Sequence, residues 1–229
     1  MNFSNLNSIA NYIVENGKGI LAADESNPTC KKRFDTISVE STEENRRDYR
    51  QLLFQAEGMS NNIGGVILFD ETIRQNTADG TALVDLIKQK EALPGIKVDK
   101  GLAPFENSDI EKVTQGIEDL DARCAEYFKM GALFTKWRAV ISIGKTLPSQ
   151  GCIEENAKLL ARYAKIVQKN KMVPIVEPEV LMDGSHSIEE CYDATSRTLK
   201  SLFQNLEEEN VDITGTILKP NMVTPGSEH

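Results

Sequence analysis

Short apolar runs alternate with longer amphipathic stretches along this chain, and each run ends in charged residues. The runs are Gly19–Ala23 (GILAA), Ile63–Phe69 (IGGVILF), Gly95–Val98 (GIKV), Ala132–Arg138 (ALFTKWR), Met172–Val176 (MVPIV) and Thr214–Leu218 (TGTIL). Their length and their Val, Ile, Leu and Phe content predict strands buried on both faces. The stretches between them predict helices. Ser41–Glu44 (STEE) is a capping-box signal, with a stop at Gly58. Leu120–Lys129 is followed by Gly131. Glu154–Lys169 carries apolar residues near a 3.6 period, and Ser187–Leu206 opens with Ser187 and Glu190 in capping positions. Strands alternating with helices imply βα units and a parallel sheet. Two architectures fit: a doubly wound open sheet or a closed barrel. The charged strand ends at Asp70, Lys97, Lys136, Glu177 and Lys219 follow one another at intervals of 27 to 42 residues. That near-regular rhythm favours the barrel.

In a parallel barrel the carboxyl ends of all strands open onto one face, which holds the active site. Asp24, Glu25 and Ser26 follow the first run, and Asp70 and Glu71 the second. Lys97 with Asp99, Lys136 with Arg138, and Glu177 with Glu179 have the two-residue spacing that puts side chains on one side of a strand. Lys219 ends the sixth run. Solvated strand ends explain any one of these charges. Six strands in succession require more, because charges gathered in one mouth must pair or bind something. Lysines, an arginine and carboxylates together can hold phosphate, form an imine and move protons. A lysine that attacks a carbonyl must be neutral, so its pKa has to fall from ~10.4 towards ~7–8. Lys219 on an apolar strand, with Lys136 as a neighbouring cation, is the candidate pair.

Other chemistries are weaker. The chain has 26 basic and 35 acidic residues and a net charge of −9, which argues against nucleic acid or an anionic membrane as partner. Its two histidines, His186 and His229, cannot build a histidine-rich metal site. Gly17–Ala22 (GKGILA) matches a loose dinucleotide fingerprint but precedes a strand instead of following one. Gly144–Thr146 (GKT) lacks the first glycine of a phosphate loop, since position 139 is Ala139. Trp137 should face the helices. Cys30, Cys124, Cys152 and Cys191 contain no C-x-x-C pair and read as reduced thiols. No apolar run is long enough to span a bilayer, and the first residues lack the features of a signal peptide, so a cytoplasmic location is expected.

Seven motifs carry a resemblance. Gly19–Ser26 (GILAADES), Thr42–Arg47 (TEENRR), Gly64–Phe69 (GGVILF), Gly95–Gly101 (GIKVDKG), Lys136–Arg138 (KWR), Val173–Glu179 (VPIVEPE) and Leu218–Gly226 (LKPNMVTPG) together resemble class I fructose-bisphosphate aldolase. The resemblance runs from about residue 5 to residue 226. It implies a (β/α)8 TIM barrel and a cytosolic homotetramer acting in glycolysis. The implied reaction is reversible cleavage of fructose 1,6-bisphosphate to dihydroxyacetone phosphate and glyceraldehyde 3-phosphate, with neither metal nor cofactor. It implies Lys219 as the Schiff-base lysine and Glu177 as the acid/base for carbinolamine dehydration. Asp24 would act on the C4 hydroxyl, and Lys136 would be the cation beside the imine. Glu179 would position these cations. Arg33, Lys97 and Arg138 would face the sugar phosphate, with Ser26 and Thr29 as hydroxyl donors. Family chains are about half as long again, and their last two strands supply a loop and an arginine for the other phosphate. Residues 1–229 are therefore expected to form one barrel domain, incomplete at its carboxyl end, with six of eight βα units and low activity alone. The alternative is a non-catalytic aldolase-like binding or subunit-contact module.

Overall fold

The computed structural model describes residues 3–229. In chain order the elements are α1 (Leu6–Val14), β1 (Gly19–Ala23), α2 (Asn27–Asp35), α3 (Glu43–Gln55), α4 (Met59–Asn62), β2 (Ile63–Leu68), α5 (Asp70–Ile73), α6 (Leu83–Gln89), β3 (Leu93–Lys97), β4 (Leu102–Pro104), β5 (Lys112–Thr114), α7 (Leu120–Lys129), β6 (Phe134–Ile141), α8 (Gln150–Lys169), β7 (Val173–Val180), α9 (Ile188–Glu208) and β8 (Ile217–Leu218). Six strands form one parallel sheet in the order β1-β2-β3-β6-β7-β8, and β4 with β5 makes a small antiparallel hairpin. Spatial order follows chain order without reversal. A doubly wound sheet needs a point where the order reverses, so that alternative is excluded.

The sheet also curls. Lys136 of β6 reaches Asp24, just beyond β1, at 2.6 Å. Three inter-strand steps on a flat sheet would separate these strands by about 14 Å. The fold is thus a curled part of a (β/α) barrel, with β1 and β8 at its two edges.

Period-2 alternation separates two cores. The outer face of the strands, including Val66, Leu68, Ile96, Trp137 and Val176, packs on Leu83, Ile87, Leu160, Ala164 and Leu202 from the helices. Trp137 lies on this side as expected, fully buried, with its ring 5.4 Å from that of Tyr163. On the inner face Ile67, Leu93, Phe134, Val173 and Ile175 meet Ile9, Ala10 and Ile13 of α1. The Phe134 ring on β6 covers the inner face of the adjacent strand β3 and reaches β2 beyond it. A Cβ at Gly95 would lie 2.3 Å from it, and one at Gly65 2.9 Å.

Several boundaries correct the sequence-based expectation. α3 is capped by Thr42, whose side chain accepts from the Asn45 N–H, and it ends at Gln55, before Gly58. α8 begins four residues earlier than periodicity suggested, because the Ser149 hydroxyl accepts from the Cys152 N–H and starts the helix there. α9 begins at Ile188 with Ser187 and Glu190 forming its capping box, and α7 spans the expected residues. The four cysteines are free and buried. Among the described residues, no helix is long and apolar enough to cross a membrane.

Candidate active site

The inward-facing positions change from apolar to charged towards the carboxyl ends of β1, β3, β6, β7 and β8, whereas β2 continues in phase to Phe69. In the β3–β6 register Lys97 lies beside Lys136, and in the β6–β7 register Arg138 lies beside Glu177. β8 pairs Leu218 with Val176, and the Lys219 N–H donates to the Val176 carbonyl at 3.0 Å. Lys219 therefore leaves the sheet at the level of Glu177.

These positions create a continuous ionic chain across the mouth. Lys136 Nζ lies 2.6 Å from Asp24 Oδ2 and 3.5 Å from Glu177 Oε2, and Lys219 Nζ donates to Glu177 Oε1. The two lysines on this one carboxylate differ in circumstance. The Lys136 side chain is 10% exposed and that of Lys219 is 51% exposed. Burial disfavours the Lys136 ammonium, yet the Asp24 and Glu177 carboxylates outweigh it and hold its pKa above the ordinary lysine value. Lys136 is therefore a fixed cation, while Lys219 presents its amine to the open mouth. Glu177 is itself buried, and its Oε2 makes no hydrogen bond among the described residues. That oxygen is an acceptor with spare capacity beside a reachable amine.

The other expected residues fall into three groups. Lys97 Nζ is 2.5 Å from Asp99 Oδ1, and Lys97 and Ser26 line one cavity of about 730 Å³ together with Arg74 and Tyr127. The Ser26 and Thr29 hydroxyls are 3.0 Å apart where α2 begins. Arg138 pairs with Glu179 on the more exposed rim. Arg33 is not gathered with the others: its guanidinium donates to Glu25 and lies 3.3 Å from the Tyr49 hydroxyl.

Sequence reasoning missed the groups that hold the strand ends. Arg123 donates to the carbonyl of Val98, between Lys97 and Asp99, at 2.8 Å. The Thr114 hydroxyl donates to the Arg138 carbonyl at 2.7 Å. Asn221 accepts from the Val180 N–H and donates to Thr195, anchoring the segment after Lys219. Arg50 is fully buried behind Asp24. The available signal was the spacing of Arg46, Arg50 and Phe54 along one face of α3, all three of which are buried.

The family model described as fructose-bisphosphate aldolase class-I matches residues 5–229. The chain belongs to this family. It is 53% identical over 219 residues to the cytosolic fructose-bisphosphate aldolase 5 of Arabidopsis thaliana, covering 96% of this chain and 61% of the relative. Against the fructose-bisphosphate aldolase of Drosophila melanogaster the identity is again 53%, over 96% of this chain and 62% of the relative. A probable class 1 enzyme of Xanthomonas campestris is 52% identical and is covered to 68%. Among solved structures, the aldolase of Plasmodium falciparum superposes with a TM-score of 0.95 at 51% identity, over 97% of this chain and 65% of that one. The chain thus spans about two thirds or less of the aldolases it matches.

Proposed function

We propose that this chain carries the imine-forming part of a fructose-bisphosphate aldolase site. The observation that carries the proposal is the shared carboxylate: Glu177 is touched by a buried cation, Lys136, and by an accessible amine, Lys219. In this reading Lys219 passes its proton to Glu177, and the freed amine attacks the C2 carbonyl of the open-chain sugar to form a carbinolamine. Glu177 donates a proton to the departing hydroxyl, water leaves, and an iminium remains. Asp24 takes the proton of the C4 hydroxyl as the C3–C4 bond breaks. The bond's electron pair moves into the iminium to give an enamine, and glyceraldehyde 3-phosphate departs. Protonation at C3 and hydrolysis then release dihydroxyacetone phosphate and restore the lysine. Lys136 holds positive charge beside the imine. Lys97, Arg138 and the Ser26–Thr29 pair supply donors to phosphate and hydroxyls, and Glu179 positions Arg138. Arg33 joins them once its guanidinium leaves Glu25. The cytosolic Arabidopsis relative supports a cytosolic location. The homotetramer is a proposal of the same kind, checked by sedimentation velocity.

The test is borohydride reduction in the presence of dihydroxyacetone phosphate, followed by peptide mapping. The adduct is expected on Lys219 and absent from Lys219→Ala. Glu177→Ala should form it about 10²-fold more slowly while still binding phosphate, the loss expected when a general acid is removed. An adduct on another lysine in folded protein overturns the assignment. No adduct at all in folded protein favours a non-catalytic module instead.

A further inference from the structure

Asp24 has a carboxylate held 2.6 Å from Lys136 but sits in a weakly held piece of backbone. β1 is an edge strand with β2 as its sole partner in the sheet, and its ladder ends at Ala23, opposite Leu68. Asp24 and Glu25 follow before α2 begins, so neither belongs to a regular element. Nothing in the sheet itself fixes the direction in which the Asp24 side chain leaves.

Arg50 of α3 supplies what the ladder does not. Its Nε donates to the Ala23 carbonyl at 3.2 Å, and its Nη2 donates to the Glu25 carbonyl at 2.6 Å. One planar guanidinium thus anchors the peptide units Ala23–Asp24 and Glu25–Ser26, with Asp24 suspended between them. The fork is rigid, so fixing both carbonyls fixes their spacing.

Charge pairing alone does not explain Arg50. It is fully buried, yet the nearest oxygens of Glu25 and Glu71 are both 3.9 Å away. Its Nη1 makes no hydrogen bond among the described residues. Glu71 is instead taken by Arg46, which grips it with two hydrogen bonds of 2.8 and 2.6 Å. Two carboxylates at 3.9 Å that accept no hydrogen bond from it offset only part of the cost of burying this cation, and an apolar side chain of similar volume would ordinarily serve the core as well or better. What an apolar side chain cannot do is donate to two carbonyls at once.

We infer that Arg50 is a positioning residue for carbon–carbon bond cleavage: it brackets Asp24 and aims its carboxylate into the mouth. The inference rests on the proposed aldol cleavage, in which Asp24 takes the C4 hydroxyl proton. It separates two steps. Imine formation uses Glu177 on β7 and Lys219 just after β8, which reach Asp24 only through Lys136. Cleavage uses the Asp24 carboxylate directly, as proton acceptor, whereas imine formation meets it only as the partner of Lys136.

The experiment compares the two steps in Arg50→Lys and Arg50→Met. The rate of borohydride-trapped adduct formation at Lys219 is measured with dihydroxyacetone phosphate. Release of glyceraldehyde 3-phosphate from fructose 1,6-bisphosphate is measured in a single turnover with protein in excess. Cleavage should fall by about 10²-fold, the penalty of a misplaced catalytic group. Adduct formation should stay within about twofold of wild type. Arg50→Lys keeps the charge but loses the fork, so it should fail in the same way. It also carries the test if Arg50→Met does not fold. In an Asp24→Asn background either Arg50 variant should cause less than about a twofold further loss, because both act through one group. Parallel loss of both steps, or losses that multiply in the Asp24→Asn background, would mean a merely structural role and overturn the inference. A wild type that forms the Lys219 adduct yet releases no aldehyde also overturns it, since a bracketed Asp24 is then insufficient. A wild type without the adduct overturns the aldolase reading itself, and is recognised before any Arg50 variant is made.

Discussion

The inner face of the curled sheet has a floor and a rim, built from the same strands two residues apart. Phe134 and Ile175 lie in the floor, and Lys136 and Glu177 follow them in the rim. Ile217 packs on the floor, and Lys219 follows it. The floor is apolar, closed by α1, and packed tightly enough that Gly65 and Gly95 have no room for a side chain beside Phe134. The rim is ionic, and one of its carboxylates, Glu177, is shared between two lysines. Each depends on the other. Apolar packing fixes strand register, and register decides which charges meet, since a one-residue slip would turn every rim residue outward. The floor is therefore expected to govern stability, and the rim to trade stability for chemistry.

The largest expected effect breaks the floor. Phe134→Ala should destabilise the fold by about 3–5 kcal/mol, from lost burial and the cavity left behind. Urea melts give the value. Gly95→Ala sharpens the test. In the wild-type background its methyl meets the Phe134 ring, and overpacking should destabilise by about 1–3 kcal/mol. In the Phe134→Ala background that space is free, and the same substitution should be nearly neutral. Equal losses in both backgrounds would mean that the glycine and the ring do not meet.

A smaller loss is expected at the rim. Lys136→Met removes a buried cation from between Asp24 and Glu177, leaving Asp24 without its 2.6 Å partner and Glu177 with Lys219 alone. Breaking a buried pair costs about 3–5 kcal/mol, and the loss here should fall at the low end because Glu177 keeps Lys219 as a partner. Adding Asp24→Asn to Lys136→Met should recover part of that loss, because one stranded charge is gone. If Lys136→Met is as stable as wild type, the rim is solvated and the contrast with the floor fails.

The contrast also explains what the sequence could reveal. Period-2 spacing placed Lys97, Lys136, Arg138, Glu177 and Glu179 on the inner face, because alternation is a property of a single strand. It could not show that Lys136 touches Asp24, which depends on the curl of four strands. Strand ends were harder to read for the same reason. β6 runs to Ile141 and β7 to Val180, beyond the apolar runs, because inward-facing charges interrupt the pattern while the ladder continues. β8 is only Ile217–Leu218, because Asp212 caps the 3-10 turn at Ile213–Gly215 and uses up the residues before it. The β4–β5 hairpin, with three residues a strand, is too short for any period. Arg33 has the right chemistry for a phosphate contact, but its pairing with Glu25 is a tertiary choice that spacing does not encode.

The smallest expected effect is the pH dependence of the rim. Two carboxylates raise the pKa of Lys136 in the folded state despite its burial. The stability this supplies is fully present below the unfolded lysine value of ~10.4 and is lost as pH rises through the folded value. Tyr127 is also raised, to about 12, chiefly by burial, and it weakens the fold in the same alkaline range. Wild type alone therefore cannot isolate Lys136. The difference between wild type and Lys136→Met can, because both proteins contain Tyr127. That difference should be constant from pH 7 to about 10 and should shrink above it, as wild type comes to carry a neutral amine between the same two carboxylates. The floor offers the control: the difference between wild type and Phe134→Ala should not change over this range, since no titrating group is removed. A Lys136→Met difference that stays constant up to pH 12 would mean that Lys136 contributes packing, not charge, and would make the rim an extension of the floor.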